Sequence, residues 1–357
     1  MPVHSAGPLF DRLDWRDPIS GTPLEPIVNA RTPAGVPISG ALRIKGTDFG
    51  YPIVDSVVRL TPELAYQHKE WLLMMSLSPP EWHSQYQLFQ TVASVDSFGW
   101  QWTWNANMRT EADLKMRVLE KFNFPAQGFH GAIVLDAGAG AGDQSQFMIK
   151  LGAEVVSIDL SSAIEVVARK LRMNSGWVGV QADVMSLPFG ASQFDVIYCE
   201  GVIQHTADSS KTVNELLRTL KSGGHLMAAH YVRLPVTTVW KRLKRAVTTR
   251  YYDGVRTRLS SLDRFKLLFL TGLLSTINYV PAFGWILRRL GLVHYYDLMP
   301  DFKTTWTNTY DYYGGHSYQR FITPDQFYDY FEQQGNKIEF IYRNGGNVQV
   351  KKLGESS

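Results

Sequence analysis

The spacing of apolar positions changes along the chain, and the changes outline its elements. An apolar run at 133–135 ends in Asp136, and a turn containing Gly138, Gly140 and Gly142 follows. A helix-like stretch comes next, then a second apolar run at 155–158 that ends in Asp159. This reads as strand, turn, helix and strand, with a carboxylate closing each strand. Further apolar runs near 178–182, 194–199 and 224–231 continue the alternation and predict a largely parallel sheet between helices. KIEFIYRNGGNVQVKKL predicts a closing strand pair about Asn344, Gly345 and Gly346. The helix before it is TPDQFYDYFEQQG, with Thr323 as N-cap, Pro324 as first residue and Gly335 as stop.

Other stretches have a different character. Residues 1–65 are rich in proline and glycine and predict short strands and turns. Within 66–130, WLLMMSL and EADLKMRVLEKF have helical spacing. Between them Trp100, Trp102 and Trp104 alternate, which suits a strand, plain core or an aromatic lid over a cation. Residues 236–322 interrupt the sheet pattern between its fifth and sixth strands. They open with a basic run (Lys241, Arg242, Lys244, Arg245, Arg250, Arg256, Arg258) and close with a stretch dense in tyrosine and histidine. The longest apolar stretch, 267–287, is broken by Asn278 and Pro281. It predicts one or two buried or surface-lying helices rather than a membrane span.

The glycine turn narrows the chemistry. Glycine admits backbone conformations closed to other residues and lets a ligand approach the main chain. Asp159, about 20 residues past the first glycine, stands where a carboxylate accepts hydrogen bonds from ribose hydroxyls. A dinucleotide fingerprint would place its third glycine where Asp143 stands, and no arginine or lysine lies in the loop to meet a pyrophosphate. Asp136 at the mouth would repel a phosphate and attract a cationic amine. The expected ligand is S-adenosylmethionine (SAM) rather than NAD.

Residues 131–230 resemble the core of a class I SAM-dependent methyltransferase of the quinone and small-molecule group. VLDAGAGAG is similar to that family's first motif, VVSIDLS to its second, QADVMSLPF to its third, FDVIYCEGVIQHTAD to its fourth strand and following loop, and LRTLKSGGHLMAAH to the helix, turn and fifth strand. The resemblance implies an α/β fold: a seven-stranded Rossmann-like sheet with an antiparallel last strand. Beside it stand a small β-rich N-terminal domain and a helical insertion between strands five and six. Five segments follow: 1–65, a lid segment at 66–130, the SAM-binding core at 131–235, a substrate-binding insertion at 236–322 and the last helix and strand pair at 323–357. The resemblance also implies cofactor contacts from Trp102, Asp136, Gly138, Ala139, Gly140, Asp159, Leu160, Asp183, Val184, Glu200 and Gly201. His205 is the first candidate for catalytic base or acceptor orientation. Tyr310, Tyr313 and His316 follow it, and His230 is a third choice. Residues 1–65 resemble a zinc-ribbon-like methyltransferase activator, but Asp17, Ser20, Ile44 and Thr47 stand at its cysteine positions, so no zinc is expected.

Composition sets the outer bounds. The 357 residues suffice for two domains, and 45% hydrophobic with 19% charged residues is ordinary for a protein with a sizeable core. A net charge of +3 is too mild to demand nucleic acid. The single cysteine, Cys199, excludes an intramolecular disulfide. MPVHSAGPLFDRLDW has no basic start followed by an apolar core, so a cytoplasmic location is expected. The function expected is methyl transfer to a small aromatic or amphipathic acceptor. A lipid-linked or membrane-surface acceptor is the alternative, and a SAM-binding scaffold that recruits a partner is a second. Peripheral membrane contact and homo-oligomerisation are left open.

Overall fold

The computed structural model describes residues 7–81, 109–233, 238–239, 250, 254–256, 258–259, 262–297, 300–314, 320–333 and 337–354. The chain divides into two compact units. One comprises Met1–Gln87, Arg109–Arg233 and Tyr318–Ser357; the other comprises Leu88–Met108 and Leu234–Ser317.

The first unit is built on one mixed sheet. Its strands are β1 (Leu24–Arg31), β2 (Pro37–Ile44), β3 (Gly50–Val54), β4 (Val57–Arg59), β5 (Ile133–Ala137), β6 (Glu154–Ile158), β7 (Trp177–Gln181), β8 (Phe194–Cys199), β9 (Leu220–Ala229), β10 (Ile338–Asn344) and β11 (Asn347–Lys352). Their spatial order is β1-β2-β3-β4-β7-β6-β5-β8-β9-β11-β10. The strands from β4 to β9 pair in parallel, and β11 runs antiparallel between β9 and β10. From residue 133 onward this is a Rossmann-like order, and the direction of winding reverses between β5 and β8. Ligands of open α/β sheets bind at that switch point, beyond the carboxyl ends of the strands.

Alternation along each strand explains the layers. Val134, Val155, Val196 and Met227 point to one face, where they pack with Phe122, Phe129, Phe147 and Met148. Their neighbours Leu135, Val156, Ile197 and Leu226 point to the other, with Leu216 and Phe327. Helices α1 (Pro62–Gln67), α2 (Lys69–Met74), α3 (Glu111–Val118), α4 (Asp143–Lys150), α5 (Ile164–Leu171) and α6 (Ser209–Thr219) belong to this unit. The helix expected before the last strands spans Pro324–Glu332, with Thr323 and Gln326 forming a capping box. It ends at Glu332, and Gly335 lies outside the described residues.

The N-terminal strands differ from a separate small domain over 1–65, because they continue the central sheet. β4 pairs in parallel with β7, Val57 opposite Gly179 and Val58 opposite Val180. Arg59 donates to the Gln181 side chain across the junction. The Trp15 ring lies 5.2 Å from that of Phe10 and 5.3 Å from that of Phe189. A parallel sheet ending at β7 would leave an open edge of unpaired amides, and the added strands cover it. At the positions without cysteines, Asp17 accepts hydrogen bonds from the Ser20 hydroxyl at 2.6 Å and the Tyr51 hydroxyl at 2.7 Å. The Thr47 hydroxyl donates to the Ile44 carbonyl at 2.9 Å. Of the segment expected at 66–130, residues 66–81 and 109–130 belong to the first unit, and 82–108 lie outside the described residues.

The second unit includes helices α7 (Arg264–Ile277), α8 (Pro281–Arg289) and α9 (Phe302–Tyr313). The apolar stretch 267–287 is thus two helices with a break at 278–280. Among the described residues, no helix is long and apolar enough to cross a membrane. Trp100, Trp102, Trp104, Lys241, Arg242, Lys244, Arg245 and His316 lie outside the described residues.

Candidate functional site

Four strand ends deliver the polar residues of the site. Asp136 stands one residue before the end of β5, Asp159 and Glu200 directly follow β6 and β8, and Asp183 lies two residues past β7. Asp136 is only 2% exposed. It accepts a hydrogen bond from the Ser145 hydroxyl at 2.5 Å, and that hydroxyl lies 2.7 Å from Ser157 Oγ, which accepts from Trp177 Nε1 at 2.9 Å. Burial pushes the Asp136 carboxyl up to about 7, and the nearby carboxylates of Asp159 and Glu200 add to the rise against the Ser145 hydrogen bonds.

The glycine turn wraps over the end of β6. Gly138 and Ala139 both donate from their amides to the Ile158 carbonyl, at 2.8 and 2.9 Å. Gly138 has φ 83°, and a Cβ there would fall 2.1 Å from Val202 Cγ2. The Gly140 amide donates to Asp159 Oδ2 at 2.9 Å. Asp159 Oδ1 accepts from the Ser161 amide at 2.8 Å and hydroxyl at 2.6 Å. Burial raises the Asp159 carboxyl above the usual range despite these donors. Leu160 accepts from Gln181 Nε2 at 3.1 Å through its carbonyl. Asp183 accepts from the Met185 amide at 2.8 Å, and its carboxyl is likewise raised by burial. Val184 beside it is buried.

Glu200 is held differently. Its Oε2 accepts from the Tyr198 hydroxyl at 2.6 Å, and its Oε1 meets Arg117 at 3.1 Å and also Lys121. Burial would raise this carboxyl, but Lys121 and Arg117 outweigh it and hold it down at about 2. Arg117 also pairs with Asp113 at 3.0 Å, and Arg109 meets the same carboxylate at 2.8 Å. Gly201, at φ 75°, turns the chain out of β8. His205 lies half-buried in a 3-10 turn at Ile203–His205, its ring edge-on to Tyr231 at 5.6 Å. His230 is buried against Phe327, and burial lowers its imidazole below the ordinary value. Cys199 is buried, and its thiol is pushed up by desolvation.

The structure therefore gathers Asp136, Gly138, Ala139, Gly140, Asp159, Leu160, Asp183, Val184, Glu200, Gly201 and His205 at one sheet edge. Tyr310 belongs to the second unit, where it packs with Leu267 and Tyr313 in that unit's own core. Trp102 and His316 are outside the described residues. The loop, expected to lack a basic neighbour, has one: Lys170 of α5 donates to the Ala141 carbonyl at 2.8 Å and to Asp143 at 2.7 Å. Its charge is spent on Asp143, so the turn still offers a phosphate no unpaired cation among the described residues. Sequence spacing carried no sign of Lys170, because α5 brings it back from 27 positions beyond Asp143. It also missed Gln204, which is fully buried with neither amide atom hydrogen-bonded. The Gln204 Nε2 lies 3.9 Å from the point a Gly201 side chain would occupy.

A glycine turn at the switch point of this sheet, bordered by carboxylates and carrying no free cation among the described residues, fits SAM. Residues 135–228 match the family described as Methyltransferase domain. A demethylmenaquinone methyltransferase of Paenarthrobacter aurescens is 29% identical over 131 residues, 37% of this chain and 51% of the relative. A malonyl-[acyl-carrier protein] O-methyltransferase of Enterobacter lignolyticus is 35% identical over 122 residues, 34% of this chain and 45% of the relative. The chain spans about half the length of the curated relatives it matches. Among solved structures, a SAM-dependent methyltransferase from Methanosarcina mazei is similar at TM-score 0.37 and 17% identity, covering 63% of this chain and 94% of that one.

Proposed function

We propose that this protein is a SAM-dependent methyltransferase that acts on a small aromatic or amphipathic acceptor. The observation that carries the reading is Asp159, buried at the end of β6 with Gly140 of the turn donating to its carboxylate. From there a carboxylate binds the ribose diol, Asp183 meets the adenine amino group, and Val184 covers the ring face. Asp136 faces the cationic end of the cofactor. The acceptor class draws on relatives named for demethylmenaquinone and for a malonyl group on acyl-carrier protein.

Bound SAM supplies a methyl group on a cationic sulfur, with a neutral thioether as leaving group. The chain aligns the acceptor for in-line attack, which is worth on the order of 7–11 kcal/mol in favourable cases. His205, on the loop after β8, takes the acceptor proton; imidazole is the side chain suited to that transfer near neutral pH, for about 10²–10⁴-fold in rate. The unpartnered Gln204 amide orients a polar atom of the bound ligands, since a buried amide without partners is costly until something satisfies it.

Isothermal titration with SAM and, separately, with NADH tests the site. Micromolar SAM affinity that is lost in Asp159→Ala, with no NADH binding, is the expected result. Absence of SAM binding by the folded wild-type chain overturns the reading.

A further inference from the structure

The helices α7 and α8 of the second unit are inside out for a protein surrounded by water. Along α7 the buried line is Leu267, Thr271, Ser275 and Asn278. The solvent line is Phe265, Phe269 and Leu273, the two phenylalanines 82% and 76% exposed. This orientation is fixed by hydrogen bonds on the polar side. Trp306 of α9 donates from Nε1 to the Leu268 carbonyl at 3.1 Å and Thr271 Oγ1 at 3.2 Å, and the Tyr279 hydroxyl donates to the Pro300 carbonyl at 2.7 Å. On α8 only Gly284 is buried, while Phe283, Trp285 and Ile286 are exposed. A Cβ at Gly284 would lie 1.9 Å from the Asn278 carbonyl oxygen, so this glycine lets α8 fold back against the end of α7. Apolar surface presented on this scale marks an interaction site.

Charge and length say what covers it. From 264 to 296 the sequence contains Arg264, Lys266, Arg288 and Arg289 and no Asp or Glu. Lys266 pairs with Asp263, just before the helix. Arg289 lies 5.4 Å over the Trp285 ring and Arg288 4.5 Å over that of Tyr295. Aromatic rings beside cations, with bare aliphatic side chains between, suit the headgroup level of a bilayer and its anionic lipids. α7 has 14 residues, about 21 Å of helix against a hydrocarbon core of about 30 Å, so it lies in the interface rather than across it. A second copy fits less well, because a two-fold contact sets a patch against itself and would oppose cations with cations. We propose that α7 and α8 form a docking face that seats the second unit in the surface of a membrane containing anionic phospholipid. The proposal stands whatever the acceptor proves to be.

Vesicle sedimentation with the full chain tests it. Sucrose-loaded vesicles of phosphatidylcholine are compared with vesicles in which about one lipid in three is phosphatidylglycerol, a composition dense enough in charge for cationic faces to bind. The expected result is binding that strengthens with the anionic lipid and falls at least about tenfold in the double variant Phe269→Glu, Trp285→Glu, each exposed anchor being worth roughly that factor when buried. Both side chains are exposed, so circular dichroism of the variant should match the wild type. Because Cys199 is buried, a Leu273→Cys chain can be labelled at one thiol with an environment-sensitive dye, whose emission should shift blue on anionic vesicles. No sedimentation of the wild-type chain at low salt, or binding equal in the double variant, overturns the proposal. So does a lipid-free dimer that the double variant abolishes, which would make this face a contact between copies.

Discussion

Asp136 makes the ligand-free protein less stable when it ionises. Its carboxyl is raised from 3.8 to about 7 by burial. Between these values the folded chain holds a proton that the unfolded chain releases. Stability from this group is therefore greatest below about pH 4 and falls as pH rises through 7, by on the order of 4 kcal/mol in full. A cation bound beside Asp136 favours the ionised form, so SAM affinity should rise with pH, roughly tenfold per unit below 7, and level off above it. Titration calorimetry from pH 6 to 8 reads this slope. Asp136→Asn should flatten it, weaken binding at pH 8 and raise the thermal midpoint there; an unchanged slope in the variant would remove Asp136 from the site. The strand-end position of residues like this one was legible because each closes an apolar run, an unusual place for a carboxylate. Gln204 was not, since an amide within GVIQH has the same appearance whether its partners are protein or ligand.

At the scale of elements, Glu200 joins the end of β8 to α3 and the turn after it. Sequence motif reading assigned it a cofactor contact, yet Tyr198, Arg117 and Lys121 already occupy its two oxygens. The cations lie 83 and 79 residues away in sequence, and no local periodicity links them to the strand end. Glu200→Gln should therefore cost on the order of 3 kcal/mol at neutral pH, because it takes the carboxylate from partly buried Lys121 and one of two carboxylates from Arg117. Its carboxyl sits at about 2 when folded against an ordinary 4.5, so its contribution is present above 4.5 and is lost as pH falls toward 2. Urea melts of wild type and variant at pH 7 and pH 3 check this: the gap between them should shrink at the lower pH. If the variant keeps its stability but loses SAM affinity, the cofactor contact is the better account. Elements with local signals were read more fully. Thr323, Pro324 and Gln326 announce a helix start within four positions, and the structure caps it with those residues. The 278–280 break follows from Asn278 and Pro281 in the same local way.

For the whole first unit, the part hidden from sequence is long-range pairing. Residues 1–65 look separable because their proline and glycine content contrasts with the core. Yet a strand of three residues, β4, docks on β7 some 120 positions later and converts the segment into a continuation of the sheet. The core records the same merger. Leu9, Phe10, Trp15 and Tyr51 share one apolar cluster with Phe189, Phe194 and Leu135. Removing 1–65 would strip the partner from β7 and expose that cluster to water, a loss of many buried side chains at about 1.5–3 kcal/mol each against a total stability of about 5–15 kcal/mol. The truncated chain should therefore aggregate or lose its cooperative unfolding transition, and with it SAM binding. In the full chain, hydrogen exchange should give amides of β3 and β6 the same global protection, since they open together. A soluble truncated chain that binds SAM with unchanged affinity would show the N-terminal strands to be an appendage.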